Sequence, residues 1–104
     1  MLGIDIVYLP EFKKRLKNSL DKVFLPIEMS QNTTLESLAG IFAGKEAFFK
    51  ATGRKENWLE VWIEKDKNGK PQIFSDLVSL KKEISISHAG DYAVAAVFIY
   101  ENAR

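Results

Sequence analysis

Five segments of the chain have the alternating apolar and polar residues, or the β-branched composition, that predict β-strands. They are residues 2–9 (LGIDIVYL), 57–66 (NWLEVWIEKD), 71–74 (PQIF), 83–88 (EISISH) and 92–100 (YAVAAVFIY). In the first strand, Asp5 shares one side with Gly3 and Val7. An Asn-Gly pair in DKNGKP and the short turn AGD indicate that the later strands form hairpins.

Two further segments carry apolar residues at helical spacing. The first is PEFKKRLKNSLDKVF, residues 10–24, which begins with a proline suited to a first helical turn, and LPIEMSQN after it reads as a connector. The second helix begins at Thr33, in a predicted capping box with Glu36, and ends at Gly53. The element order β-α-α-β-β-β-β predicts an α+β fold, with helices packed on a mostly antiparallel sheet.

The composition agrees with one folded domain spanning residues 1–104. The chain is 46% hydrophobic and 28% charged, and its formal net charge of +1 gives no global field that would steer it to nucleic acid or a membrane. It has no cysteine, which excludes disulfides, thiolate metal sites and a cysteine nucleophile. The first residues lack the basic region of a signal peptide, and no apolar run approaches the roughly 20 residues of a membrane span. We therefore expect a cytoplasmic protein.

Two carboxylates have apolar neighbours in the sequence. Asp5 lies inside the first strand between two isoleucines, and Glu46 lies at the edge of the apolar stripe of the second helix. Both could be surface residues, and Glu46 could pair with Lys50 four residues later. If they are buried, they require a cationic partner, and two carboxylates suit Mg²⁺, which completes its coordination with waters and substrate phosphates. The metal alternative therefore implies a substrate that carries phosphate.

Other candidate residues are few. Lys70 follows a predicted hairpin turn, and His88, the only histidine, ends a strand beside Ser87. Neighbouring side chains point to opposite faces of a strand, so Ser87 and His88 make a poor nucleophile–base pair. The chain has no Walker-A loop, GxGxxG, HExxH or GxSxG motif. Its aromatic residues do not interleave with a basic stripe, which disfavours nucleic-acid binding.

Four motifs occur in the order GIDIV, LAGIFAGKEAFFKATG, GKP and ISISHAGDYAVAAV. Together they resemble the 4′-phosphopantetheinyl transferase superfamily, and in particular its short holo-acyl-carrier-protein synthase type. Such enzymes transfer the phosphopantetheine arm of coenzyme A to a serine of an apo acyl carrier protein and release 3′,5′-ADP. In double-length relatives the metal ligands and the GKP and SISH segments lie on different halves. The resemblance therefore implies a homotrimer with sites between protomers.

The resemblance also implies roles for particular residues. Asp5 and Glu46 would hold Mg²⁺, and Lys50 would contact the phosphates and act with Glu46 in catalysis. The proton of the attacking serine would pass to Glu46 or to a metal-bound water, and the sequence leaves both open. The other predicted contacts of coenzyme A are Lys45, Lys70, Pro71, Ser87 and His88.

The first helix supplies a predicted docking surface for the acidic carrier protein. Its cations are Lys13, Lys14, Arg15 and Lys17. These four residues could equally form a solvated helix face.

An alternative hypothesis is a divergent module that binds coenzyme A or a carrier protein without catalysis. The chain departs from the family pattern at Tyr8, where the family has a glutamate, at Ile41, where it has an arginine, and at Gly44, where it has an alanine. These departures favour the alternative. The retention of Asp5 and Glu46 favours the enzyme.

Overall fold

The computed structural model describes residues 1–55, 57–76 and 78–101 and has the predicted α+β organisation. In chain order the elements are β1 (Leu2–Tyr8), α1 (Leu9–Arg15), α2 (Leu20–Val23), α3 (Pro26–Gln31), α4 (Leu35–Thr52), a 3₁₀ turn (Trp58–Glu60), β2 (Val61–Lys65), β3 (Pro71–Ser75), β4 (Lys81–Ala89) and β5 (Tyr92–Tyr100). Among the described residues, no helix combines the length and the apolar character needed to cross a membrane.

The strands form two antiparallel sheets instead of one. The larger sheet has the order β1-β5-β4, and β2 pairs with β3 in the smaller one. Asp5 on β1 lies opposite Ala95 on β5, which in turn lies opposite Ile86 on β4. Since neighbouring strands are about 4.8 Å apart, β5 separates the backbones of β1 and β4 by about 10 Å.

The larger sheet has one buried face and one open face. Its inner face packs on α4, and the residues of β5 that point inward are almost completely buried: Ala93, Ala95, Val97 and Ile99. Its outer face carries large apolar side chains that are 41–70% exposed: Leu2, Ile4, Ile6, Tyr8, Tyr92 and Phe98. A one-sided antiparallel sheet normally presents polar residues to solvent. This outer face is therefore an unusually apolar surface.

Helix α4 and strand β1 approach each other at a glycine. A Cβ atom added at Gly3 would lie 1.9 Å from the carbonyl oxygen of Ala47 and 2.8 Å from the amide nitrogen of Ala51. Both obstacles are backbone atoms, so no side-chain rotation could relieve the overlap. The contact brings the inner side of β1, which includes Asp5, directly against α4.

The chain between β1 and α4 differs from the prediction of one helix followed by a connector. Helix α1 ends at Arg15, and only the four residues of α2 continue the predicted helix. The intervening Asn18 and Ser19 are residue types that favour turns over helix interiors. The predicted connector contains α3, which begins with Pro26 at its first position.

The boundaries of α4 are close to those predicted. Its N-cap is Thr34 and not Thr33, because the Thr34 hydroxyl accepts a hydrogen bond from the amide of Ser37 at 3.1 Å. Its end at Gly53 is confirmed, with φ of 75° in the left-handed region that glycine adopts without strain. The 18 residues between these caps form the longest helix described.

We expect Gly3→Ala to lower the free energy of unfolding by about 3 kcal/mol, because the new methyl group overlaps the backbone of α4. Urea unfolding followed by circular dichroism measures this change. Gly69→Asn is the control, since Gly69 has an open environment and a φ of 82° that asparagine tolerates. Equal stability of the two variants would contradict the close contact.

Candidate active site

A cavity of about 360 Å³ opens between β1, α1 and α4. The polar residues that line it are Asp5, Tyr8, Glu11, Arg15, Glu46 and Lys55. Both predicted metal ligands are thus at the same cavity, although 41 positions separate them in the chain. Their convergence follows from the packing of β1 on α4.

Asp5 projects from the inner side of β1 toward α4. Its side chain is 14% exposed, and its Oδ1 accepts a hydrogen bond from the Lys50 ammonium at 2.9 Å. Although β1 is an edge strand, the carboxylate is therefore held between the sheet and the helix. The structure favours the alternative in which Asp5 is largely buried and paired with a cation.

Glu46 lies one helical turn before Lys50, and its side chain is 19% exposed. Its Oε1 is 3.5 Å from the ammonium nitrogen of Lys55. The alternative in which Glu46 pairs with Lys50 is not observed, because Lys50 reaches across to Asp5. Each of the two carboxylates therefore has an ammonium group beside it, and both ammonium-bearing side chains are 56% exposed.

Asp5 and Glu46 are a suitable pair of ligands for Mg²⁺. This ion prefers hard oxygen ligands and is usually held by one or two protein carboxylates, with waters and phosphates completing an octahedron. Within residues 1–55, 57–76 and 78–101, no group of three or more His, Asp or Glu side chains could hold a metal. A Mg²⁺ ion at this cavity would therefore take most of its ligands from substrate and water.

Lys45, the neighbour of Glu46, points into the core. It is fully buried, and its ammonium donates to the carbonyl oxygen of Val23 at 2.6 Å, to Glu28 Oε1 at 2.7 Å and to the carbonyl oxygen of Trp58 at 3.0 Å. A lysine ammonium has three hydrogens, so none remains for a phosphate. The prediction that Lys45 contacts coenzyme A is therefore wrong for this structure, in which the role of Lys45 is structural.

Glu28 is the buried counter-ion of Lys45. Its Oε1 also accepts from the amide of Leu25 at 2.8 Å, and its Oε2 accepts from the amide of Ile63 at 2.9 Å. Burial lowers the pKa of Lys45, and the negative charge of Glu28 opposes that shift. The pair ties α3, α4 and β2 together beneath the cavity.

Glu28 was missed in the sequence because its segment resembled a connector. A usable signal was present, since a glutamate two residues after Pro26 occupies the third helical position, from which it can accept from the N-cap amide. Its ion pair with Lys45 spans 17 residues and could not be inferred from local spacing.

The remaining predicted contacts of coenzyme A lie elsewhere on the chain. Lys70 and Pro71 line a second cavity, of about 720 Å³, together with residues of β3, β4 and β5. The Nε2 atom of His88 is 2.9 Å from the carbonyl oxygen of Glu36, and Ser87 is exposed on β4. One copy of the chain does not bring these four residues to Asp5 and Glu46.

The predicted docking residues lie in the last turn of α1 and just after it. Lys13, Lys14 and Arg15 form the last turn of α1, and Lys17 follows it. Arg15 lines the cavity itself, with its guanidinium carbon 5.6 Å from the ring centroid of Phe42. The structure thus places one predicted docking residue at the carboxylates. No pattern in the sequence indicated Lys55, whose position depends on the path of the chain after α4.

Known proteins resemble this chain over most of its length. A model of the 4′-phosphopantetheinyl transferase superfamily matches residues 1–97. The chain belongs to this superfamily. Holo-[acyl-carrier-protein] synthase of Bacillus subtilis (strain 168) is 40% identical over 115 residues, covering 94% of this chain and 93% of that protein. The same enzyme of Geobacillus sp. (strain WCH70) is 36% identical over 111 residues, with coverage of 94% and 93%.

Solved structures of this superfamily have the same fold. Helicobacter pylori holo-[acyl-carrier-protein] synthase in complex with coenzyme A matches with a TM-score of 0.89 and 30% identity, over 96% of this chain and 100% of that one. The Bacillus anthracis enzyme in complex with CoA (3′,5′-ADP) matches with a TM-score of 0.87 and 29% identity, over 97% and 96%. The predicted family, fold and enzyme type are confirmed.

We expect Lys45→Met to lower the free energy of unfolding by about 3–5 kcal/mol, because Glu28 would remain as a buried charge without its cation. Guanidinium unfolding measures the loss. Lys67→Met, in the exposed turn after β2, is the matched control and is expected to change stability by less than about 0.5 kcal/mol.

The double variant Lys45→Met, Glu28→Gln tests the cause of the loss. It removes the stranded charge and is expected to recover part of the stability that Lys45→Met loses. A Lys45→Met protein as stable as the Lys67→Met control would contradict the buried ion pair.

Proposed function

We propose that the protein is a Mg²⁺-dependent transferase that moves the 4′-phosphopantetheine group from coenzyme A to a serine of an apo acyl carrier protein, giving holo-carrier protein and 3′,5′-ADP. The observation that carries this proposal is the convergence of Asp5 and Glu46 on one cavity in a member of this superfamily. The relatives named as holo-[acyl-carrier-protein] synthases, two of them solved with bound coenzyme A, support the choice of both substrates.

The residues at the cavity suit phosphoryl transfer. Asp5 and Glu46 would hold the Mg²⁺, which when bound neutralises charge on the pyrophosphate and on the departing 3′,5′-ADP. Lys50 is hydrogen-bonded to Asp5 and mostly exposed, so its ammonium can contact the same phosphates. Glu46 is the carboxylate that can take the proton of the attacking serine, either directly or through water.

The open sheet face supports a homotrimer with sites between protomers. Six large apolar side chains lie on that face, and proteins usually cover an apolar patch of this kind. Lys70, Pro71, Ser87 and His88 do not line the cavity of Asp5 within one chain. A neighbouring copy of the chain, packed on the open face, could supply them. The expectation of three copies rests on the resemblance to the short, holo-acyl-carrier-protein synthase type.

The end of α1 supports docking of the carrier protein beside the cavity. Lys13, Lys14 and Lys17 are exposed, and Arg15 connects their surface to the two carboxylates. Carrier proteins are acidic, and complementary charge would both steer the partner and orient its serine toward the cavity.

The cytoplasmic location inferred from the sequence stays a prediction.

Incubation with coenzyme A, Mg²⁺ and an apo acyl carrier protein is expected to add one phosphopantetheine to the carrier protein, as measured by mass spectrometry. Glu46→Gln is expected to reduce kcat/KM by at least about 100-fold, because it removes both a metal ligand and the proton acceptor. Glu60→Gln, at an exposed position outside the cavity, is the matched control.

Two outcomes of this assay and one outcome of a calorimetric titration with coenzyme A separate the hypotheses. Equal activity of the Glu46→Gln and Glu60→Gln variants would remove Glu46 from the site. Folded wild-type protein that modifies none of several apo carrier proteins would contradict the transferase. Binding of coenzyme A without transfer and without Mg²⁺ dependence would support the non-catalytic module instead.

Light scattering is expected to give three times the chain mass of 11.8 kDa for the wild-type protein. Ile4→Glu, on the open sheet face, is expected to give a monomer without transferase activity, since it places a charge in the interface. Ile27→Glu, on an exposed isoleucine of α3, is the control and should leave the mass unchanged. A wild-type monomer at micromolar concentration would contradict sites shared between protomers.

A further inference from the structure

Lys55 is a cation at the cavity for which neither the sequence motifs nor the proposed reaction gives a role. It lines the cavity together with Asp5 and Glu46. Its ammonium lies 3.5 Å from Glu46 Oε1, whereas the ammonium of Lys50 lies 2.9 Å from Asp5. Charge-assisted hydrogen bonds between nitrogen and oxygen are typically about 2.7–2.9 Å long. Lys55 therefore neutralises Glu46 without a tight bond.

The ammonium of Lys55 also lies over an aromatic ring. It is 4.9 Å from the ring centroid of Trp58, within the range of a cation–π interaction. The ring of Trp58 is itself fixed, because it stacks on Phe42 at 5.0 Å and meets Phe49 edge-on at 5.1 Å. The carbonyl oxygen of Trp58 accepts from the buried Lys45 at 3.0 Å. The ammonium of Lys55 thus lies over a ring that two further aromatic contacts hold in place.

The pairing of charges at the cavity would change when Mg²⁺ and the substrate bind. Three carboxylates line it, from Asp5, Glu11 and Glu46, against the two cations Arg15 and Lys55. Once Glu46 is a metal ligand, Lys55 loses its carboxylate partner and its side chain, 56% exposed, is free to turn. A substrate bound in the same cavity would bring its phosphate oxygens to the wall that Lys55 lines.

We propose that Lys55 is a further contact for the pyrophosphate of coenzyme A, and that it neutralises Glu46 while this carboxylate holds no metal. The proposal rests on the proposed function, because it takes Glu46 as a metal ligand. Arg15 lies over the ring of Phe42 and Lys55 over that of Trp58, and these rings stack on each other, so one aromatic pair contacts both cations that line the cavity.

The proposal requires two affinities to move in opposite directions when Lys55 is changed to Met. Calorimetric titration of the free protein with Mg²⁺ is expected to show about twofold to fivefold tighter binding in Lys55→Met, because a competing cation is gone. Titration with coenzyme A at saturating Mg²⁺ is expected to show roughly fivefold weaker binding, because a phosphate contact is lost.

Two control variants make the result specific. Lys67→Met carries the same change in charge on a turn outside the cavity and should leave both affinities unchanged. Lys55→Arg keeps the positive charge and should stay within about twofold of wild type in both titrations.

Any result other than opposite shifts in Lys55→Met overturns the proposal. If wild-type protein binds coenzyme A and Lys55→Met binds it equally well, the role of Lys55 fails while the transferase stands. If wild-type protein neither binds coenzyme A nor modifies a carrier protein, the proposed function fails as well. The two failures are therefore distinguished by the wild-type protein, through its titration with coenzyme A and its activity on carrier proteins.

Discussion

The backbone contact between Gly3 and Ala47 is the constraint on which the site depends. Any side chain at position 3 would push α4 away from β1, because its Cβ would overlap the helix backbone. Asp5 lies two residues further on the same side of the strand, and Glu46 immediately precedes Ala47. The close approach of one glycine to one helical turn therefore puts both carboxylates at the same cavity. The local sequence determines that β1 is a strand and α4 is a helix. The contact at Gly3 determines how closely the two pack against each other.

The rotation of α4 about its axis is fixed by Lys45. Successive helical residues differ by about 100° in direction, so a lysine directed into the core leaves the next residue, Glu46, at the edge of the cavity. A buried ion pair contributes little net stability, but separating its members leaves uncompensated charge in the core. Any rotation of α4 that moved Glu46 away from the cavity would also separate Lys45 from Glu28. The Lys45–Glu28 pair therefore serves mainly to fix the orientation in which α4 packs.

The sequence predicted the elements that are long enough to have a period. The strands and α4 span five to eighteen residues and follow their hydrophobic patterns, and Gly53 ends the helix where its backbone freedom is needed. Helices α2 and α3 have four and six residues, fewer than two turns, so they give no periodic signal. The pairs of Lys45 and Lys55 with their carboxylates depend on how distant segments meet. The sequence patterns therefore could not indicate that Lys45 points into the core.

Two of the three departures from the family pattern, at Gly44 and Ile41, have physical explanations, whereas the third, Tyr8, lies in the cavity lining itself. Gly44 leaves room for two isoleucines, because an added Cβ would lie 2.7 Å from the Cδ1 atoms of Ile63 and Ile84. Ile41 is 2% exposed and belongs to the core, so this position cannot meet a substrate in this chain. Neither Gly44 nor Ile41 is among the residues that line the cavity, so both changes lie in the packing beneath it. Neither change is evidence that catalysis was lost. The proposed transferase function is supported mainly by the two carboxylates and the cations around them.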